Sequence, residues 1–106
     1  MKKSNRTAYK YYKIYECYGT EPKNFQLIER KEGPLLAKNI TDAASKYYGF
    51  NFAETKDAKY YKCTYDHKWN EEKTKAFFVF ETIDYVPKKP KVFKGILLII
   101  PIKSEL

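Results

Sequence analysis

Residues 9–18, YKYYKIYECY, sort into two sets of side chains when the chain is drawn extended. Tyr9, Tyr11, Lys13, Tyr15 and Cys17 fall on one side, and Lys10, Tyr12, Ile14, Glu16 and Tyr18 on the other. The segment is rich in β-formers and predicts a first strand. Gly19-Thr20-Glu21-Pro22 reads as a turn. NFQLIER, 24–30, alternates again and predicts a hairpin partner for the first strand. After the turn KEGP, LLAK at 35–38 has the length of a short third strand.

The period then changes. In NITDAASKYYGF, 39–50, the apolar residues Ile40, Ala43, Ala44, Tyr47 and Tyr48 recur at helical spacing. The helix is expected at about 41–48, with Thr41 as N-cap, an Asp42–Lys46 pair one turn apart, and Gly49 just past the end. A short second helix is considered near 52–59, capped by Asn51, although its apolar face is poor. KYYKCTY, 59–65, predicts a strand with Tyr61, Cys63 and Tyr65 on one face, followed by a hairpin loop at 66–74. KAFFVFETI, 75–83, is apolar on both faces and is placed centrally in the sheet. VPKKPK, 86–91, connects to a last strand at 92–102, where Pro101 indicates an edge.

The order β-β-β-α-β-β-β predicts an α+β class fold. It is a small single domain at 9–103, with a mostly antiparallel sheet of 4–6 strands and one short helix packed on one face. Residues 1–8 lack periodicity and read as a flexible basic arm. The order is also compatible with a five-stranded OB-like barrel, by analogy only. A helix-turn-helix in 40–61 is disfavoured. Ser45, not an alanine, stands four residues before Gly49, and the second helix lacks a core face.

Charge changes this picture more than composition does. The net charge is +8. Residues 1–15 carry Lys2, Lys3, Arg6, Lys10 and Lys13 and no acid, and residues 86–104 carry Lys88, Lys89, Lys91, Lys94 and Lys103 and no acid. Residues 16–85 are nearly neutral, with 11 bases and 12 acids. If the first and last strands pair, both segments are expected to join in one basic patch. Nineteen of the 21 bases are lysine. Lysine is a point charge suited to phosphates rather than to bidentate reading of guanine, so sequence-specific recognition is not expected. Codon supply in a low-GC genome would also enrich lysine and tyrosine, but it does not explain why the charge avoids the middle. An acidic DNA mimic is excluded by the sign of the charge.

No catalytic constellation is evident. Asp66, His67, Glu71 and Glu72 lie in a segment read as a loop, with no rigid third group to hold a base. Two cysteines and one histidine do not make a four-ligand zinc site, so no metal or cofactor is expected and the cysteines are read as reduced, buried thiols. No apolar run approaches the length of a membrane helix, and no secretory signal is recognisable, so a cytoplasmic location is expected. The sequons at Asn5 and Asn39 and the terminal KSEL are therefore read as chance matches.

The tyrosines of 9–18 admit two uses. They can pair across the sheet with those of 60–65 to complete a half-wet core. With flanking lysines they can also stack bases of a single strand. Both are expected, with burial first. The expected function is a non-enzymatic, nucleic-acid-associated protein. It would bind single-stranded nucleic acid, or an acidic protein surface, through Lys2, Lys3, Arg6, Lys10, Tyr11, Tyr12, Lys13, Lys88, Lys89, Lys91 and Lys94. The alternative is a protein-binding inhibitor of the kind phages and mobile elements direct against host enzymes.

Overall fold

The computed structural model describes residues 9–102. The expected arm at 1–8, with Lys2, Lys3 and Arg6, lies outside them. β1 (Lys10–Tyr18) is followed by a single 3-10 turn at Pro22–Asn24, then β2 (Gln26–Glu29), β3 (Leu35–Ala37), α1 (Ile40–Tyr48), β4 (Tyr61–Trp69), β5 (Ala76–Asp84) and β6 (Lys91–Ile102). All pairings are antiparallel, in the order β2-β1-β6-β5-β4. β3 shares the outer edge of β1 with β2, facing residues 10–12 while β2 faces 15–18. The sheet is open, with β4 at one edge and β2 and β3 at the other. It does not close into an OB-like barrel.

The central placement of β5 follows from its apolar residues on both faces, and it lies between β4 and β6. β6 is also internal. Pro101 nevertheless sits on a one-sided stretch, because β5 begins at Ala76, opposite Ile99, and residues beyond Ile99 pair with β1 alone.

α1 covers one face of the sheet. Its start differs from the expected Thr41 cap. Asn39 is the N-cap, its Oδ1 accepting the Asp42 N–H at 2.8 Å, and this choice brings Ile40 inside the helix and the core. Lys46 Nζ lies 3.5 Å from Asp42 and donates to the Leu36 carbonyl, tying the helix to β3. Gly49 ends the helix in the left-handed region at φ 69°.

The second helix considered near 52–59 is not formed. Asn51 still caps the Glu54 N–H, but as a turn, and the segment is fixed instead by Phe52, which inserts fully into the core. There Phe52 meets Tyr48, Phe50, Tyr65, Phe78 and Phe80, ring against ring. Tyr12, Ile14, Leu97, Ile99 and Ala43 complete one core, and the described residues form one small compact domain.

The segment 66–74 is not a loop over its first half. β4 continues through Trp69, and the turn is confined to 70–75. β4 is an edge strand with most of its side chains exposed, so its residues carry little alternation to read. Part of its free edge is blunted by side chains. Asp57 accepts the Cys63 N–H at 2.9 Å, and Asp66 accepts that of His67 at 2.8 Å.

Candidate nucleic-acid interface

The antiparallel register decides which lysines meet. Lys13 lies opposite Ile100, and Lys94 is six residues back along β6, or about 20 Å away. Lys10 is farther still from Lys91. The first and last strands do pair, but their basic segments point to opposite ends of the sheet. The expected single patch is therefore not formed among the described residues.

Tyr12 is the second correction. Its side of β1 packs under α1, and only 3% of the residue is exposed, so it is a core residue and not a stacking platform. Tyr11 points to the helix-free face and is 53% exposed, beside Leu36 of β3.

A different lysine-aromatic cluster lies at the other end of the sheet. Across β4, β5 and β6 the rows are Tyr61–Asp84–Lys91, Lys62–Ile83–Val92 and Cys63–Thr82–Phe93. The Tyr85 N–H donates to the Tyr60 carbonyl at 2.8 Å, which brings these two tyrosines to the same strand ends. Tyr60, Tyr85 and Phe93 are all exposed. Phe93 is braced edge-on by Phe80 at 5.2 Å and Tyr48 at 6.1 Å, and Lys59 Nζ stands 5.2 Å over the Tyr60 ring. Lys88 and Lys89 occupy the connecting turn, Lys91 and Lys94 follow on β6, and all four are exposed. Among the described residues, the ion pairs are Arg30–Glu32 and Lys46–Asp42, so none of these lysines is held by a carboxylate.

Sequence reasoning places Lys88, Lys89, Lys91 and Lys94 here. It misses Tyr60, Tyr85, Phe93, Lys59 and Lys62. A signal is present in the apolar and basic residues flanking the 86–91 turn. Only the three-strand register shows that 59–62 lies beside it.

The helix-free face is unusually apolar for a sheet side without a helix. Leu27, Leu36 and Val79 are exposed there together with Tyr11, while Tyr15, Phe77 and Ile96 are half-buried. The 19–25 connection crosses part of it, with Phe25 edge-on to Phe77 at 5.9 Å. No group of three His, Cys, Asp or Glu side chains that could hold a metal ion occurs among the described residues. Nor is any helix among them long and apolar enough to cross a membrane. Comparisons with protein-family models, curated proteins and solved structures found no match.

Proposed function

We propose that the β4–β5–β6 end binds single-stranded nucleic acid with little sequence preference. The observation that carries this reading is the meeting of three exposed rings, Tyr60, Tyr85 and Phe93, with Lys59, Lys88, Lys89 and Lys91 at one set of strand ends, with Lys62 and Lys94 close by on the other face of the sheet from Phe93. Each ring can stack on a base for about 1–3 kcal/mol, whatever the base, and the lysines can follow the phosphates. Arginine, which would read base edges, is absent from this end. No catalytic role is part of the reading.

If about five lysines contact phosphates, log affinity against log salt should have a slope near −3.5. Anisotropy titrations of labelled single strands of differing sequence test this. Absence of binding at about 50 mM salt, or strong preference for one sequence, overturns it.

One observation favours a second reading, an inhibitor that docks on a host protein. The apolar helix-free face carries exposed Tyr11, Leu27, Leu36 and Val79, and such patches mark protein contacts. Under that reading the lysines meet an acidic protein surface. Recovery of one nuclease-resistant partner, with no affinity for nucleic acid, would put it ahead.

A further inference from the structure

The two edges of the sheet differ. On the β1 side, β2 and β3 are short and share the edge between them. On the other side β4 presents nine residues, Tyr61–Trp69, with no strand beyond it among the described residues. The Tyr85 N–H donates to the Tyr60 carbonyl and the Asn70 N–H to the Lys75 carbonyl, so the even-numbered residues of β4 turn their backbone groups toward β5. The odd-numbered residues turn theirs outward. The first of these are engaged, since Tyr61 pairs with Ala58 and Asp57 accepts the Cys63 N–H. Among the described residues the edge is open from Tyr65 to Trp69. The N–H groups of Tyr65 and Trp69 have no partner there, and that of His67 meets only the Asp66 side chain.

The residues of this open stretch, Tyr65-Asp66-His67-Lys68-Trp69, are complementary to themselves. Tyr65, His67 and Trp69 lie on the helix side, and Asp66 and Lys68 on the helix-free side, where both are exposed. Laid antiparallel on its own copy with His67 opposite His67, the stretch sets Asp66 against the partner's Lys68 and Lys68 against the partner's Asp66. On the helix side it sets Tyr65 against the partner's Trp69, and Trp69 against the partner's Tyr65. The charges fall at non-hydrogen-bonded positions, where facing side chains stand closest. Other positions of the two-fold axis lose this match. Centred on Asp66 it sets aspartate against aspartate, and centred on Lys68 lysine against lysine. Centred on Tyr65 it sets Lys62 against Lys68.

We propose that β4 is a self-association edge, on which a second copy of this chain adds its own β4 to make one continuous sheet. Tyr65, His67 and Trp69 supply the backbone bonds, His67 once the Asp66 side chain turns from its N–H to the partner's Lys68. The contact is isologous, so it closes at two copies, with both helices on the same side of the joined sheet. An exposed edge alone would accept any extended strand. The opposite charges of Asp66 and Lys68, placed evenly about His67, select a second copy and fix its register. The lysine-aromatic end stays clear of the contact, because Tyr61 lies six residues along β4 from His67, about 20 Å. The dimer therefore carries one such end on each side of its axis.

Sedimentation of the nuclease-treated full chain tests this from about 10 µM to about 1 mM, the range suited to a small edge interface. A monomer–dimer equilibrium is expected. Asp66→Lys sets lysine against lysine, and Lys68→Asp sets aspartate against aspartate, so each variant alone should dimerise about tenfold more weakly or worse. An equimolar mixture of the two variants regains both opposite-charge pairs and should associate where neither does alone. The double variant Asp66→Lys with Lys68→Asp should dimerise like the wild type. The outward amides of Tyr65 and Trp69 should exchange more slowly at concentrations where the dimer forms. Leu27→Ser with Leu36→Ser, both exposed on the helix-free face, should leave the equilibrium as it is. A chain that stays monomeric throughout overturns the proposal. So does a mixture that associates no better than its components. A dimer lost in the Leu27/Leu36 variant, with the Tyr65 and Trp69 amides unprotected, also overturns it and places the contact on the helix-free face.

Discussion

Tyr47, in the last turn of α1, donates its hydroxyl hydrogen to the carboxylate of Glu16, in the middle part of β1. Tyr18 donates to the same carboxylate from two residues along the strand. Glu16 lies on the helix side of the sheet, where an unpaired charge would be costly, and the two hydroxyls satisfy it. The bond thus fixes where the C-terminal half of α1 rests on the sheet. Tyr47→Phe should destabilise the domain by about 1 kcal/mol. That is below the about 1.5–3 kcal/mol of a bond to a charged group, because Tyr47 is only half-buried and Tyr18 still donates to Glu16. Chemical denaturation with an unchanged m-value is the check.

The same bond gives a pH dependence. Burial, and then the bond to Glu16, pushes the Tyr47 hydroxyl above the ordinary tyrosine range, and burial followed by the Glu16 charge does the same to Tyr48. The folded protein therefore holds these protons more tightly than the unfolded chain. Their stabilisation is complete below about pH 10, the unfolded value, and is lost as pH rises through the higher folded values. Stability measured across the alkaline range should fall above about pH 10, and fall less steeply in Tyr47→Phe with Tyr48→Phe. An identical alkaline slope in wild type and variant would contradict the assignment.

Gly95 explains how Tyr48 fits. It lies on the helix face of β6, and a Cβ there would stand 2.7 Å from the Tyr48 hydroxyl oxygen and 2.9 Å from Cε1 of Phe80. The missing side chain lets the Tyr48 ring settle edge-on to Phe80 at 4.8 Å. Gly95→Ala overfills this spot and should cost about 1–3 kcal/mol. Gly95→Ala with Tyr48→Phe should recover part of the loss, a coupling that a double-mutant cycle measures.

The two cysteines occupy opposite faces of the sheet. Cys17 points to the helix-free face of β1 and Cys63 to the helix side of β4, with β6 and β5 between them, so the spacing is more than about 14 Å and no disulfide can form. Burial pushes the Cys17 thiol up to about 11, and it is 8% exposed. Burial also raises Cys63, which is only half-buried. Alkylation at neutral pH should modify Cys63 first and leave Cys17 at least about tenfold slower. Mass spectrometry of partly labelled protein reads the order, and equal rates would show that Cys17 is not shielded as its 8% exposure implies.

The strand and helix pattern is largely legible because it is local. The two faces of β1, the Asp42–Lys46 pair and the left-handed Gly49 all follow from residue type and spacing. Phe78, read as central, is fully buried. What the pattern does not carry is register. Whether Lys10 lies near Lys94 or at the far end of the sheet depends on how the first and last strands of the chain align. Charge arithmetic is blind to that alignment. The extent of β4 is hidden for a related reason. An edge strand is half solvated on both faces, so DHKW has the composition of a loop while its backbone pairs with 76–79. Tyr12 reads as a surface residue because tyrosine serves burial and stacking equally well, and only the position of α1 selects between them.

The lysine-aromatic end makes the last prediction, and it separates two contributions. Replacing Lys88, Lys89, Lys91 and Lys94 by glutamine removes charge but no ring. Affinity for single strands should fall, and the salt slope should flatten by about 0.7 for each phosphate no longer neutralised. Replacing Tyr60, Tyr85 and Phe93 by alanine removes ring and no charge. Affinity should then fall by about 1–3 kcal/mol per stacked base with the slope unchanged. Phe93 also braces Phe80 and Tyr48, so its substitution must be read beside a stability measurement. Tyr60 and Tyr85 are exposed and stand outside the core cluster, so they serve as the clean pair. Lys10→Gln with Lys13→Gln, at the far end of the sheet, should leave the slope as it is. If that pair flattens it as much as the four lysines of β6 and its turn, the strand wraps the whole domain and the binding surface is not confined to the β4–β5–β6 end.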